Sequence, residues 1–186
     1  HLIIIGGGVI GLELGQVYNR LGSKVSVIEY SDRITPFMDK DVSRELNKVL
    51  KKEGINFYLS HQVYEVKSDE KTVSVLAKNK KDEVISFDSD YCLVSVGRKP
   101  YTQGLNLEKI GVELDSKGRI NINERFETSI EGIYAIGDVV RGTMLAHKAE
   151  EEGIAVAELI SGQKSHINYN LIPVSYTHLR AHETEL

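Results

Sequence analysis

The apolar run Leu2-Ile3-Ile4-Ile5 passes without a break into Gly6-Gly7-Gly8-Val9-Ile10-Gly11, a G-x-G-x-x-G between a strand-like and a helix-like segment. No other feature limits the fold of this chain as strongly. Four consecutive apolar residues suit a strand buried on both faces of a parallel sheet. The three glycines then serve different needs. Gly6 permits the tight turn, Gly8 lets a pyrophosphate approach the backbone, and Gly11 lets helix and strand pack closely. The helix is predicted over residues 9–21, with Ile10, Leu14, Val17 and Leu21 on one face and Gly22 as its C-cap. Residues 24–28 follow as a second strand, so the segment reads as a β-α-β unit with a right-handed crossover.

Taken alone, such glycines also serve ordinary turns. Glu29 adds weight, because it stands at the end of the second strand, the expected distance beyond Gly11. A carboxylate there can accept hydrogen bonds from the adenosine ribose hydroxyls and repels a 2′-phosphate. The free N–H groups and dipole of the helix N-terminus suit the phosphates themselves. The combination predicts dinucleotide binding and NAD over NADP. Arg33 could reach a 2′-phosphate, although a solvated loop arginine is the plainer reading.

The rest of the chain continues the α/β pattern. A helix is predicted over residues 41–53, burying Val42, Leu46, Val49 and Leu50 and closed by Gly54, with a strand over 55–59. Short alternating segments at 63–66, 72–77 and 83–87, separated by charged turns, predict an antiparallel meander. A buried strand at 91–96 ends in Gly97-Arg98-Lys99-Pro100. Beyond it, strands are expected at 120–122 and 133–136. A helix over 145–160 carries the small stripe Ala146, Ala149, Gly153 and Ala157.

Weaker candidates have plain alternatives. Gly137-Asp138 at a strand end faces the usual ligand crevice of an open sheet, or simply starts a turn. Gly97 permits a close ligand approach or only a change of direction. His147 alone reads as a helix-surface residue. Glu150-Glu151-Glu152 reads as a solvated face. With Cys92 as the one cysteine, neither an internal disulfide nor a Cys-x-x-Cys motif can form. A net charge of −4 gives no reason to expect nucleic acid or a membrane surface as partner. The apolar runs are too short to span a bilayer. No metal cluster or catalytic constellation stands in the sequence.

The chain starts at His1 and enters a strand at once, as expected of a piece of a longer protein. At the other end, VSYTHLRAHET at positions 174–184 matches, residue for residue, the third-frame translation of a transposase adapter used in sequencing libraries. Residues 174–186 are therefore set aside as non-native. His178 and His182, spaced like a metal pair, receive no role.

Several of these motifs together resemble the pyridine nucleotide-disulfide oxidoreductases, and within them the dihydrolipoyl dehydrogenase branch. The resemblance is carried by Gly6 to Glu13 as a G-x-G-x-x-G-x-E and by Ser95-Val96-Gly97-Arg98-Lys99-Pro100. It continues in Ile133-Tyr134-Ala135-Ile136-Gly137-Asp138-Val139 and in Met144-Leu145-Ala146-His147-Lys148-Ala149-Glu150. It implies a Rossmann-like NAD-binding domain over residues 1–100, the C-terminal part of an FAD-binding α/β domain over 101–167, and the start of a dimerisation domain over 168–173.

The implied NAD contacts are Gly6, Gly7, Gly8, Val9, Ile10, Gly11, Leu12, Glu13, Glu29, Val63 and Gly97. The implied FAD contacts are Asp138, Met144, Leu145, Ala146 and His147. The branch's redox disulfide precedes this segment and its His–Glu acid/base pair follows it, so no catalytic residue is assigned here. The implied enzyme oxidises dihydrolipoamide with NAD through FAD, as a homodimer serving lipoyl domains of 2-oxoacid dehydrogenase or glycine-cleavage complexes. Its expected location is the bacterial cytoplasm, or else the mitochondrial matrix. A soluble transhydrogenase, an NADH oxidase or a nucleotide-binding piece without catalysis of its own shares the same motifs.

Overall fold

A computed structural model describes residues 1–172. The transposase-like string, with His178 and His182, lies outside them, as does the last residue of the expected dimerisation segment. The chain divides into two compact units, one of residues His1–Gly97 and one starting at Arg98.

The first unit is built on a four-stranded parallel sheet. In chain order it comprises β1 (Leu2–Ile5), α1 (Val9–Arg20), β2 (Val25–Glu29), α2 (Lys40–Lys52), β3 (Asn56–Leu59), β4 (Gln62–Ser68), β5 (Val73–Lys78), β6 (Val84–Ser89) and β7 (Tyr91–Val94). The parallel sheet has the order β3-β2-β1-β7, and β4-β5-β6 form a separate antiparallel sheet. Residues Leu2 to Ile5 pair with Val25 to Ile28 on one side and Tyr91 to Val94 on the other. The chain leaves β1 toward one edge and later returns to its other side. The carboxyl end of β1 is therefore a topological switch point, where open parallel sheets form their ligand crevice.

Both faces of this sheet are covered, which is why its strands read as continuous apolar runs. Leu2 and Ile4 join Leu12, Val25, Val27, Ile34, Leu50 and Ile55 in one cluster. Ile3 and Ile5 join Ile28, Val75 and Ala77 in another, against the meander. Alternate residues of one four-residue strand thus feed two cores.

The helices depart from the periodicity argument. Helix α1 buries Gly11, Leu12 and Gly15, whereas the expected stripe is exposed: Ile10 47%, Leu14 39%, Val17 52% and Leu21 76%. A Cβ at Gly15 would lie 2.7 Å from Ile4 Cδ1. The helix approaches the sheet through residues without side chains, a contact that a count of apolar side chains overlooks. In α2, Leu50 is buried and Leu46 packs beside it, but Val42 and Val49 face outward. Ser43 takes the inner position. Its Oγ donates to the Thr35 carbonyl at 3.1 Å and pairs with Thr35 Oγ1 at 3.1 Å.

The second unit contains α3 (Leu107–Ile110), a 3-10 turn at Gly137–Val139, α4 (Ala146–Ile160) and a 3-10 turn at Tyr169–Leu171. The strands expected at 120–122 and 133–136 do not form. Those stretches make only the isolated bridges Leu114↔Ile120 and Glu127↔Tyr134. An apolar run becomes a strand only beside a partner, and the pairing of 133–135 with 126–128, through Thr128 N–H to the Ile133 carbonyl at 2.8 Å and Ala135 N–H to the Phe126 carbonyl at 3.0 Å, stops at that one bridge. The apolar cluster among the described residues is small, Val112, Ile120, Ala135 and Val140, with Phe126 and Ala155 buried outside it. Side chains tie the loops. Asp115 accepts from the Lys117 and Arg119 backbones at 2.7 and 3.0 Å, and Asn123 accepts from those of Arg125 and Glu127 at 2.8 and 3.1 Å.

Candidate functional site

The glycine turn sits at the switch point, and each glycine meets different surroundings. Gly6 has φ +105°, and a Cβ there would lie 2.5 Å from the Ser95 carbonyl oxygen. A Cβ at Gly11 would lie 2.4 Å from the Gly6 oxygen and 2.5 Å from Ser95 Oγ. Ser95 Oγ donates toward the Ile5 and Gly6 carbonyls at 3.0 and 3.1 Å, fastening the segment after β7 to the turn. Gly8 differs: a Cβ there would meet nothing within 4 Å. It is the N-cap of α1, with no side chain capping the helix. The first-turn N–H groups, which have no intrahelical partner, therefore open onto space above Gly8. That is the arrangement a pyrophosphate needs.

Glu29 ends β2 beside this turn and is 8% exposed. Gly7 N–H donates to its Oε2 at 2.6 Å and Ser31 N–H to its Oε1 at 2.7 Å. Thr35 N–H in turn donates to the Gly7 carbonyl at 2.8 Å, so both ends of that residue are held. A carboxylate has about four acceptor positions. Two remain for ribose hydroxyls, so the residues present fit the adenosine end of a dinucleotide. The turn thus brings together Gly6, Gly7, Gly8, Gly11 and Glu29. Val9, Ile10 and Glu13 are exposed on α1. Leu12 is buried in the core. Val63 packs against the meander-side cluster at the start of β4, next to a register shift. Gly97 has φ +110° and open space around it.

In the second unit, Asp138 lies in the 3-10 turn, its carboxylate 3.2 Å from the Arg98 guanidinium. The same guanidinium donates to the Met144 carbonyl. Arg98, singled out from sequence only as part of a motif, thus joins two of the FAD candidates, Asp138 and Met144. Leu145 is the extended N-cap of α4, and Ala146 and His147 open its first turn. His147 Nδ1 lies 3.7 Å from Glu150.

The glutamate run is not a uniformly solvated face. Glu152 is 1% exposed and Lys148 2%. They pair at 2.8 Å. Glu152 Oε2 accepts from Gly137 N–H at 2.7 Å, Lys148 Nζ donates to the Gly137 carbonyl at 3.2 Å, and Tyr169 OH donates to Glu152 Oε1 at 2.9 Å. The i,i+4 spacing of opposite charges was visible in the sequence. Their burial was not, because it depends on Gly137 and Tyr169, both distant along the chain. Of the small stripe, Ala149 and Gly153 lie against Gly137 and Ile136, while Ala146 and Ala157 are exposed.

The chain is 46% identical over 178 residues to leghemoglobin reductase of Glycine max, covering 95% of this chain and 34% of that protein. It is 47% identical to dihydrolipoyl dehydrogenase 2, mitochondrial, of Arabidopsis thaliana, covering 95% and 35%. Against dihydrolipoyl dehydrogenase 3 of Pseudomonas putida it is 49% identical, covering 95% and 38%. The chain therefore spans about a third of the length of the curated relatives it matches. Among solved structures, the HOCl-induced flavoprotein disulfide reductase RclA of Escherichia coli superposes with a TM-score of 0.78 at 26% identity, covering 89% of this chain and 37% of that one. LpdA of Mycobacterium tuberculosis gives 0.76 at 26%, covering 90% and 36%. The model of the pyridine nucleotide-disulphide oxidoreductase family matches residues 1–153. This chain belongs to the pyridine nucleotide-disulphide oxidoreductase family.

Proposed function

We propose that the chain supplies the NAD-binding domain, residues 1–100, and the C-terminal part of the FAD-binding domain, 101–167, of a flavoprotein that oxidises dihydrolipoamide with NAD. The observation that carries the nucleotide assignment is the uncapped, open N-terminus of α1 at Gly8, with Glu29 anchored beside it by Gly7. The lipoamide assignment is supported by relatives named dihydrolipoyl dehydrogenase at 47–49% identity.

In this reading the first-turn backbone of α1 and the glycines at 6, 7, 8 and 11 cradle the NAD pyrophosphate. Glu29 orients the ribose, and Val63 and Gly97 border the site. Asp138 and the segment from Met144 to His147 hold FAD, which passes electrons between the thiols and NAD when bound. The redox disulfide and the His–Glu acid/base pair belong to flanking sequence. The working form is a homodimer serving lipoyl domains of 2-oxoacid dehydrogenase or glycine-cleavage complexes. Its compartment is the bacterial cytoplasm, with the mitochondrial matrix as alternative, since the matched relatives include a Pseudomonas protein and mitochondrial ones.

Two measurements test this. The sequence upstream of the segment is expected to encode a Cys-x-x-x-x-Cys pair, and its absence would exclude dithiol chemistry. In the enzyme carrying the segment, kcat/KM for NAD exceeds that for NADP by well over tenfold, and Glu29→Ala narrows the gap. Equal efficiencies before mutation would refute the role of Glu29.

A further inference from the structure

The Gly137 residue is gripped at both of its polar ends by one buried ion pair. We propose that Lys148 and Glu152 are positioning residues for Asp138, holding the Ile136–Gly137 and Gly137–Asp138 peptides on either side of the Gly137 α-carbon in the one orientation that presents the Asp138 carboxylate to the flavin. This rests on the proposed assignment of Asp138 to FAD.

Ion pairs buried this deeply are expensive to desolvate and on their own are weak stabilisers. The pair is better explained by what surrounds it. Glu152 Oε2 takes the Gly137 N–H at 2.7 Å, and Lys148 Nζ donates to the Gly137 carbonyl at 3.2 Å. The polarity matches at each end, carboxylate to N–H and ammonium to C=O. Gly137 itself has φ +75°, a left-handed conformation open to glycine, and its α-carbon faces Ala149, whose Cβ would lie 3.3 Å from an added Cβ. The next residue is Asp138, so the direction of this peptide sets where the carboxylate leaves the backbone. Tyr169 OH, donating to Glu152 Oε1 at 2.9 Å, keeps the glutamate in place from the far side. Groups that must meet a ligand within a fraction of an ångström need such support from neighbours that do not touch it.

The test uses the flavin enzyme that carries this segment, with FAD affinity measured by titrating apoprotein and the orientation of bound flavin read from its visible circular dichroism. The double variant Lys148→Met/Glu152→Leu removes the charges together and keeps the volume filled but leaves the Gly137 N–H without its acceptor, so the thermal midpoint of the apoprotein is expected to fall less than when either partner alone is truncated. Its FAD affinity falls by about tenfold or more, the loss of two charge-assisted hydrogen bonds, and the flavin dichroism changes. The swapped pair Lys148→Glu/Glu152→Lys keeps an ion pair but offers Gly137 the wrong polarity, and it weakens binding likewise. Glu152→Gln, closest in shape, keeps one acceptor and weakens binding by a smaller factor, about threefold; it decides the matter if the other two do not fold. Asp138→Ala is the control. If it leaves FAD affinity unchanged, the flavin assignment of Asp138 falls. If it weakens binding while the pair variants leave affinity and dichroism unchanged, or if the swap restores both, the positioning role is overturned.

Discussion

The two units of the chain hold themselves together by different means. In the first, two apolar clusters on opposite faces of one parallel sheet account for most of the buried side chains, and every strand of that sheet has a ladder partner. In the second, the buried apolar cluster has four members among the described residues. The backbone is tied by loop hydrogen bonds to Asp115 and Asn123 and by the Lys148–Glu152 pair. Apolar burial is non-directional and tolerates small shifts. A unit held by directional polar contacts depends on each of them, because an unpaired buried partner is costly. The first unit spreads its packing over many apolar contacts, and the second leans more on a few polar ones.

The sharpest way to break the comparison is to attack the first unit where it does not tolerate change. Gly11→Val places atoms on the Gly6 carbonyl and Ser95 Oγ, and is expected to cost about 3 kcal/mol or more. Gly8→Val, three residues away, meets open space. It costs about 1 kcal/mol or less while abolishing NAD binding. Urea unfolding followed by circular dichroism, with NAD titration alongside, separates the two. Equal destabilisation by both would mean that the turn is crowded throughout.

In the second unit the corresponding blow is Lys148→Ala, which strands the Glu152 carboxylate in the interior. A loss of about 3–5 kcal/mol is expected, appearing in native-state hydrogen exchange as faster exchange beyond Arg98 with the first unit unaffected. Even without mutation, amides in β1, β2 and β7 exchange more slowly than those between residues 115 and 140. Comparable protection in both stretches would contradict the contrast drawn above.

The smallest effect belongs to Tyr169. Burial, then the hydrogen bond to Glu152, push its hydroxyl from 10.0 up to about 12. A raised value means that the folded state favours the neutral phenol. This stabilisation is complete below pH 10 and is lost as pH rises through about 12. Tyr169→Phe is therefore expected to flatten the alkaline limb of the stability profile while costing under about 1 kcal/mol at neutral pH. An unchanged limb would place the phenol away from Glu152.

Much of the first unit was legible in the sequence, because its governing features are local. The run Leu2–Ile5, the three glycines and Glu29 lie within thirty residues and state strand, turn, helix and ligand chemistry together. Periodicity misread α1 because glycine has no side chain to count, yet Gly11 and Gly15 define its buried face. In the second unit, Ile133–Ile136 has the composition of a strand, but a strand is a relation between two segments and its own residues cannot supply the other. Lys148 and Glu152 show the same limit from the polar side. Charge and spacing were plain, and only Gly137 and Tyr169, 11 and 17 residues from their partners, turn them inward.

Glu29 carries a consequence for how this protein could change over generations. One carboxylate both anchors the Gly7 and Ser31 backbones and, in the proposed role, chooses between two forms of the nucleotide. Any lineage drifting toward the phosphorylated cofactor must first surrender a brace of its own turn. The shortest mutational path is thus closed unless a compensating substitution arrives beforehand. Laboratory evolution toward NADP should accordingly accumulate stabilising changes around Ser31 and Thr35 before position 29 itself is replaced.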